Sequence, residues 1–220
     1  MANRPAAHKE SKRRAQILRE YGPFPDVSRT HGVTFDGKHA WFATDGKLQS
    51  FDPDTGALGA ALSVPAAAGT AFDGRYLFQI AAGQIQKIDP ETAQVIASFA
   101  APGGSSQASG LTWAEGTLWI GQYTDRQVLQ IDASTGEVLR TIQSDRFVTG
   151  VTWLGDELWH ATLENDESEL RRVDPESGAV LEALLMPEGA LVSGLESDGK
   201  DSFFCGGAGS GKVRRVARAG

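Results

Sequence analysis

The chain of 220 residues contains one cysteine, Cys205, so it can form no internal disulfide. It has no apolar run long enough to span a bilayer as a helix. Its start, MANRPAAHKESKRRAQ, lacks the apolar stretch of a secretory signal. Together these absences set the expectation of a cytoplasmic protein. Basic charge is scarce: 21 Lys and Arg stand against 28 Asp and Glu, a formal net charge of −7. What basic charge there is crowds the beginning, with Arg4, Lys9, Lys12, Arg13, Arg14 and Arg19 set against Glu10 and Glu20. The rest of the chain therefore carries −11. An acidic body offers no basic face for phosphates, so neither nucleic acid nor a membrane is an expected partner. Residues 1–14 read as a basic leader, coil or helix, and residues 15–220 as one domain.

Glycine is plentiful, and it is periodic. Five segments align: HGVTFDGKHAWF (31–42), AGTAFDGRYLFQ (68–79), SGLTWAEGTLWI (109–120), TGVTWLGDELWH (149–160) and SGLESDGKDSFF (193–204). Their shared glycines, Gly32, Gly69, Gly110, Gly150 and Gly194, are spaced by 37, 41, 40 and 44 residues. Four segments lead into a second common piece, as in LQSFDPDTGAL (48–58) and LRRVDPESGAV (170–180). A period near 40 marks a repeat architecture. Within each unit apolar residues alternate, as they do in half-buried strands. Asp36-Gly37, Asp73-Gly74 and Asp198-Gly199 mark tight turns, and Asp52-Pro53-Asp54-Thr55-Gly56 with its relatives marks a second turn. Four antiparallel strands per unit, a to d, repeated radially, make an all-β, five-bladed β-propeller. The fifth unit ends after its third strand. Residues 16–21 supply the missing outer strand in this reading; a helix over 8–20 is the competing one.

The stretch FCGGAGSGKV (204–213) imitates a phosphate loop. Such a loop needs a helix after its lysine, so that backbone N–H groups face the phosphate. Here a strand is expected after Lys212, and Val213 stands where a metal-binding hydroxyl would be needed. The glycines are read as turn residues of the fifth blade.

The G-h-T-h-x-D-G-x-x-h-W and D-P-x-T-G motifs, with h apolar, extend over residues 15–220. They resemble those of YncE-like and NHL-type propellers, gluconolactonase-like (SMP-30) proteins and plant/bacterial-type glutaminyl cyclases. The resemblance implies a ligand side where the d–a and b–c loops meet over the central channel. The function expected there is that of an enzyme or small-molecule binder, its reaction type open among lyase, hydrolase and cyclotransferase chemistry. In gluconolactonase-like proteins acidic and amide ligands precede such glycines; here His31, Ala68, Ser109, Thr149 and Ser193 do.

Residues that break the repeat pattern are the candidate site. Two positions after each glycine, facing the channel, stand Thr34, Ala71, Thr112, Thr152 and Glu196. After the strand-b aromatic stand Gln79, His160 and Cys205 in their respective blades. Glu196, His160, Cys205 and His31 form the expected catalytic set, with Cys205 as nucleophile, a histidine as base, or Glu196 as general acid or base. The same imidazoles and carboxylate, His31, His160 and Glu196, would suit one transition-metal ion. Gln79, Gln122, Tyr123, Thr152 and Arg146 are the expected ligand contacts. The fourth b–c loop, ATLENDESEL (161–170), reads as long and acidic, with Glu164, Asp166, Glu167 and Glu169. The tryptophans recur at equivalent blade positions and read as inter-blade packing. The competing function is a non-catalytic interaction scaffold with a plugged channel.

Overall fold

The computed structural model describes residues 11–104 and 107–218; within the basic leader, residues 1–10 lie outside the described residues. Blade one comprises β3 (Val33–Phe35), β4 (Ala40–Thr44), β5 (Lys47–Phe51) and β6 (Leu58–Leu62). Blade two comprises β7 (Thr70–Phe72), β8 (Leu77–Ala81), β9 (Gln84–Asp89) and β10 (Gln94–Ala100). Blade three comprises β11 (Ala108–Ala114), β12 (Thr117–Gln122), β13 (Gln127–Ile131) and β14 (Val138–Gln143). Blade four comprises β15 (Phe147–Leu154), β16 (Glu157–Glu164), β17 (Glu167–Val173) and β18 (Val180–Leu185). Blade five takes β19 (Gly194–Ser197), β20 (Ser202–Gly206) and β21 (Val213–Ala217) from the end of the chain, and β2 (Ile17–Tyr21) from its beginning. No α-helix occurs among the described residues, so none is long and apolar enough to cross a membrane.

The turns form for local reasons. The Asp36 carboxylate accepts the backbone N–H groups of Lys38 (2.8 Å) and His39 (2.6 Å), and Gly37 takes φ 91°, a conformation that a side chain would strain. At the outer turn, Asp52 accepts from Asp54 (2.7 Å) and Thr55 (3.0 Å). Its counterpart Asp132 is held down to about 2 by the Ser134 hydroxyl and by backbone donors.

Alternation along each strand divides its side chains between two neighbouring blades. In β16, Leu158 packs with Trp119 and Val128 of blade three, while Trp159 and Ala161 pack with Phe203 and Val216 of blade five. Aromatic pairs recur at the interfaces: Phe78 with Trp113 (5.8 Å), Trp119 with Trp153 (5.1 Å), Trp159 with Phe203 (5.0 Å) and Phe35 with Phe204 (5.4 Å). Burying each such ring stabilises the fold by roughly 1.5–3 kcal/mol. The tryptophans are therefore packing residues.

The ring closes through β2, which pairs antiparallel with β21, Ile17 opposite Val216 and Tyr21 opposite Val213. Tyr21 packs on Phe51 (4.6 Å) and donates its hydroxyl to the Pro53 carbonyl (2.9 Å), tying blade five to blade one. Ahead of it, β1 (Ser11–Arg14) is a strand rather than coil or helix. It adds to blade four, parallel to β18, with Arg13 paired to Glu182. Both parts of the segment satisfy their backbone groups on open sheet edges, which a helix over 8–20 would have left bare. The fourth b–c segment is likewise not a loop. β16 and β17 are long strands joined by Asn165-Asp166, with φ 51° and 61°.

Candidate functional site

Along the channel the inner strands build three layers: a mouth, a collar and a polar hub. At the mouth a cavity of about 340 Å³ opens where the d–a and b–c loops meet. All five blades contribute to it. Arg29 and His31 come from the loop entering blade one, Ala67 and Ala68 from blade two, and Ala108, Ser109 and Tyr123 from blade three. Blade four adds Thr149 and Leu163, and blade five adds Leu191, Val192, Ser193 and Ala208. FCGGAGSGKV forms part of this wall. A Cβ on Gly206 would lie 2.2 Å from the His31 carbonyl oxygen, and Thr30 bridges to Ala208. Its glycines thus permit close backbone approach, and the strand β21 follows where a phosphate loop needs a helix.

Below the mouth lie the repeat glycines. A Cβ on Gly32 would sit 2.5 Å from the Gly69 Cα, one on Gly110 2.6 Å from the Gly150 Cα, and one on Gly194 2.7 Å from the Gly32 Cα. On Gly69 and Gly150 it would strike the next glycine's carbonyl carbon, at 2.5 Å and 2.9 Å. With a Cα–Cβ bond of about 1.5 Å, neighbouring Cα atoms of this closed ring stand only about 4 Å apart. A five-membered ring of that side leaves an opening of about one water molecule's radius. The collar therefore stops any organic ligand at the mouth.

Beneath the collar is Glu196. Its carboxylate accepts from Thr152 Oγ1 (2.6 Å), Thr34 Oγ1 (3.2 Å), Thr112 Oγ1 (3.2 Å to Oε2) and the Ser197 backbone N–H (3.0 Å). These are strand-a positions of blades one, three and four meeting blade five; Ala71 of blade two completes the layer without a hydroxyl. Burial raises the Glu196 carboxyl to about 7, against the lowering effect of these bonds.

The expected catalytic set is not assembled. His31 and Tyr123 line the mouth, while Thr152 and Glu196 meet in the hub below it. His160 faces the interface of blades three and four, beside Arg171 and Asp145; burial drives it down to about 3, and its Nδ1 has no partner among the described residues. Cys205 is fully buried among Trp159, Ala161 and Phe203 between blades four and five, and burial pushes its thiol up to about 12. A thiol so raised is a small apolar core residue, not a nucleophile. Gln79 is buried and donates to the carbonyls of Ala68 (3.2 Å) and Ile80 (2.8 Å). Gln122 donates to the Pro102 carbonyl (2.8 Å), and Arg146 to the Glu167 carbonyl (2.9 Å). These bonds tie all three side chains to backbone carbonyls, and none of the three lines the mouth; the buried Oε1 of Gln79 has no partner among the described residues. The metal reading fails on geometry: His31, His160 and Glu196 belong to mouth, interface and hub. Among the described residues no three His, Cys, Asp or Glu side chains converge as a metal site.

Two mouth residues escaped the sequence reading. Arg29 lies two positions ahead of His31, outside the aligned repeat. Thr149 occupies the pre-glycine position of blade four and looked ordinary beside Ser109 and Ser193, yet its buried hydroxyl has no partner among the described residues. The same pre-glycine column that marked His31 contained it.

The imidazole of His31 makes no hydrogen bond to the described residues. Burial, then the Arg29 charge, holds it below its ordinary 6.5, with Asp45 opposing. Among the residues lining the mouth, its titratable groups are this neutral base, a guanidinium and a phenol.

No protein-family model and no curated protein matches the chain. Solved structures share its fold. The glutaminyl cyclase of Myxococcus xanthus matches with a TM-score of 0.76 at 17% identity, over 94% of this chain and 97% of that one. The Cps50 (Swd1) β-propeller domain of Myceliophteria thermophila matches at 0.58 and 10% identity, over 92% and 99%. The Kuenenia stuttgartiensis hydrazine synthase matches at 0.50 and 17% identity, over 93% of this chain and 59% of that one. At these identities the likeness is one of fold.

Proposed function

We propose that this propeller binds a small molecule in the mouth of its channel and acts on it with His31 as the proton-transfer group. The observation that carries this reading is the mouth itself. Five blades converge on one concave cavity, within the range of small-molecule sites, and present a neutral imidazole with no hydrogen-bond partner among the described residues. A base must be unprotonated at working pH, and desolvation keeps His31 so. The near full-length match to a glutaminyl cyclase makes cyclotransfer the first reaction to test. In that chemistry the substrate's own amine attacks its side-chain amide carbon. His31 takes the proton released as the C–N bond forms and returns it as the amide C–N bond breaks and ammonia leaves. Hydrolysis of an ester or lactone uses the same proton transfers with water as nucleophile. Glu196 serves as the lock of the ring beneath the collar.

The test is turnover by the purified chain of three substrates: an N-terminal glutaminyl peptide, a small ester and a lactone. Ammonia release and product mass are the readouts. One class is expected to turn over, with kcat/KM falling at acid pH, below the ordinary imidazole range, as the imidazole protonates. No turnover of any class would contradict it.

A further inference from the structure

The mouth is divided by charge. Its blade-one side carries Arg29 and His31; across the ring, blades three and four present Tyr123 and Leu163. Arg29 makes no ion pair among the described residues. The nearby carboxylate that acts on His31, Asp45, is already engaged by the Ser28 backbone N–H (3.2 Å) and hydroxyl (3.1 Å). Among the described residues no Asp or Glu lines the cavity, on a chain that carries −7 overall. Arg29, exposed at the rim of this site, is thus a cation with no carboxylate beside it among the described lining residues.

The opposite wall offers aromatic and apolar surface through Tyr123 and Leu163. Tyr123 stacks on Phe147 at 4.7 Å and 13°, and the Arg126 guanidinium lies 4.2 Å over the Phe147 ring. The Thr149 hydroxyl, on a residue 6% exposed, has no partner among the described residues. A buried hydroxyl left unpaired is costly unless something entering the cavity bonds it.

We infer that the mouth takes a small carboxylate with an apolar body. Its charged end meets Arg29, its body lies against Tyr123 and Leu163, and a polar atom reaches Thr149, leaving the His31 imidazole free for proton transfer. This inference rests on the mouth being the functional site and adds the class of molecule. The carboxylate–guanidinium contact is charge-assisted and supplies the discrimination; the apolar wall supplies contact area that favours neither acid nor amide.

The experiment is calorimetric titration of the full chain with hexanoate, hexanamide and hexylamine at pH 7.5 and low salt. Hexanoate is expected to bind about tenfold tighter than either analogue, the worth of one charge-assisted contact. In Arg29→Gln that advantage is lost, and hexanoate falls to the level of hexanamide. In Leu163→Ser hexanoate and hexanamide weaken together. If hexanamide binds as tightly as hexanoate, or the acid's advantage survives Arg29→Gln, the carboxylate assignment is overturned. The mouth reading then still stands wherever Leu163→Ser weakens both. If none of the three binds the wild type, or neither substitution changes binding, the mouth reading and the carboxylate assignment fall together.

Discussion

Glu196 shows how one side chain can be conspicuous in sequence for a reason other than chemistry. It replaces a threonine in an inner-strand column, and the structure uses it to join four blades through hydroxyl and N–H donors. Its carboxyl sits at about 7 in the folded chain against 4.5 ordinarily. Below pH 4.5 it is protonated folded and unfolded alike, so it adds no pH dependence there. Between 4.5 and 7 the unfolded chain loses the proton and the folded chain keeps it, so stability falls as pH rises and levels off above 7. The shift corresponds to roughly 3 kcal/mol. Urea unfolding at pH 5 and pH 8 should show that loss in the wild type and not in Glu196→Gln; equal losses in both would remove Glu196 from the ledger. Cys205 gives a second residue-scale expectation. Buried between two blades, it should resist a maleimide in the native chain and react fully in urea. Ready labelling of the native protein would contradict its packing role. The sequence could mark Cys205, His160 and Gln79 as departures from a repeat. Which blade interface each side chain faces depends on strand register and twist, and that is not written in the repeat itself.

At the scale of elements, the glycine collar is the most constrained feature. Each glycine faces backbone, which cannot yield as a flexible side chain can. A Cβ at Gly150 would meet Leu195 N at 2.5 Å and Leu195 Cβ at 2.7 Å. Gly150→Ala is expected to cost about 2–4 kcal/mol or to prevent folding, at or beyond the upper range of overpacking. Gly209→Ala, with nothing within 4 Å, should be near neutral. Equal thermal midpoints for the two variants would contradict the close approach. The strands and both turn families were legible because each rests on local chemistry: alternation, an Asp that caps its own turn, and a glycine. The β1 strand was not legible. SKRR has no apolar alternation, and it is a strand because the β18 edge and Glu182 receive it.

At the scale of the molecule, a ring has no natural beginning, and here the two chain ends are joined inside one blade. A chain beginning at Gln16 keeps β2 and should fold with a modest loss of stability. A chain beginning at Pro23 exposes the β21 edge and removes Tyr21 from Phe51 and Phe204. It should lose cooperative unfolding or associate through that edge. The closed ring also sets the central functional proposal, because it separates a mouth with a cavity of about 340 Å³ from a hub filled by side chains. The direct measurement is turnover of whichever substrate class the wild type accepts, compared in His31→Gln and Glu196→Gln. The account predicts that His31→Gln loses about 10²–10⁴-fold in kcat, the usual contribution of a general acid–base group, while Glu196→Gln stays within a few-fold of wild type. Loss of activity in Glu196→Gln with His31→Gln unaffected would place the chemistry below the collar and contradict the account.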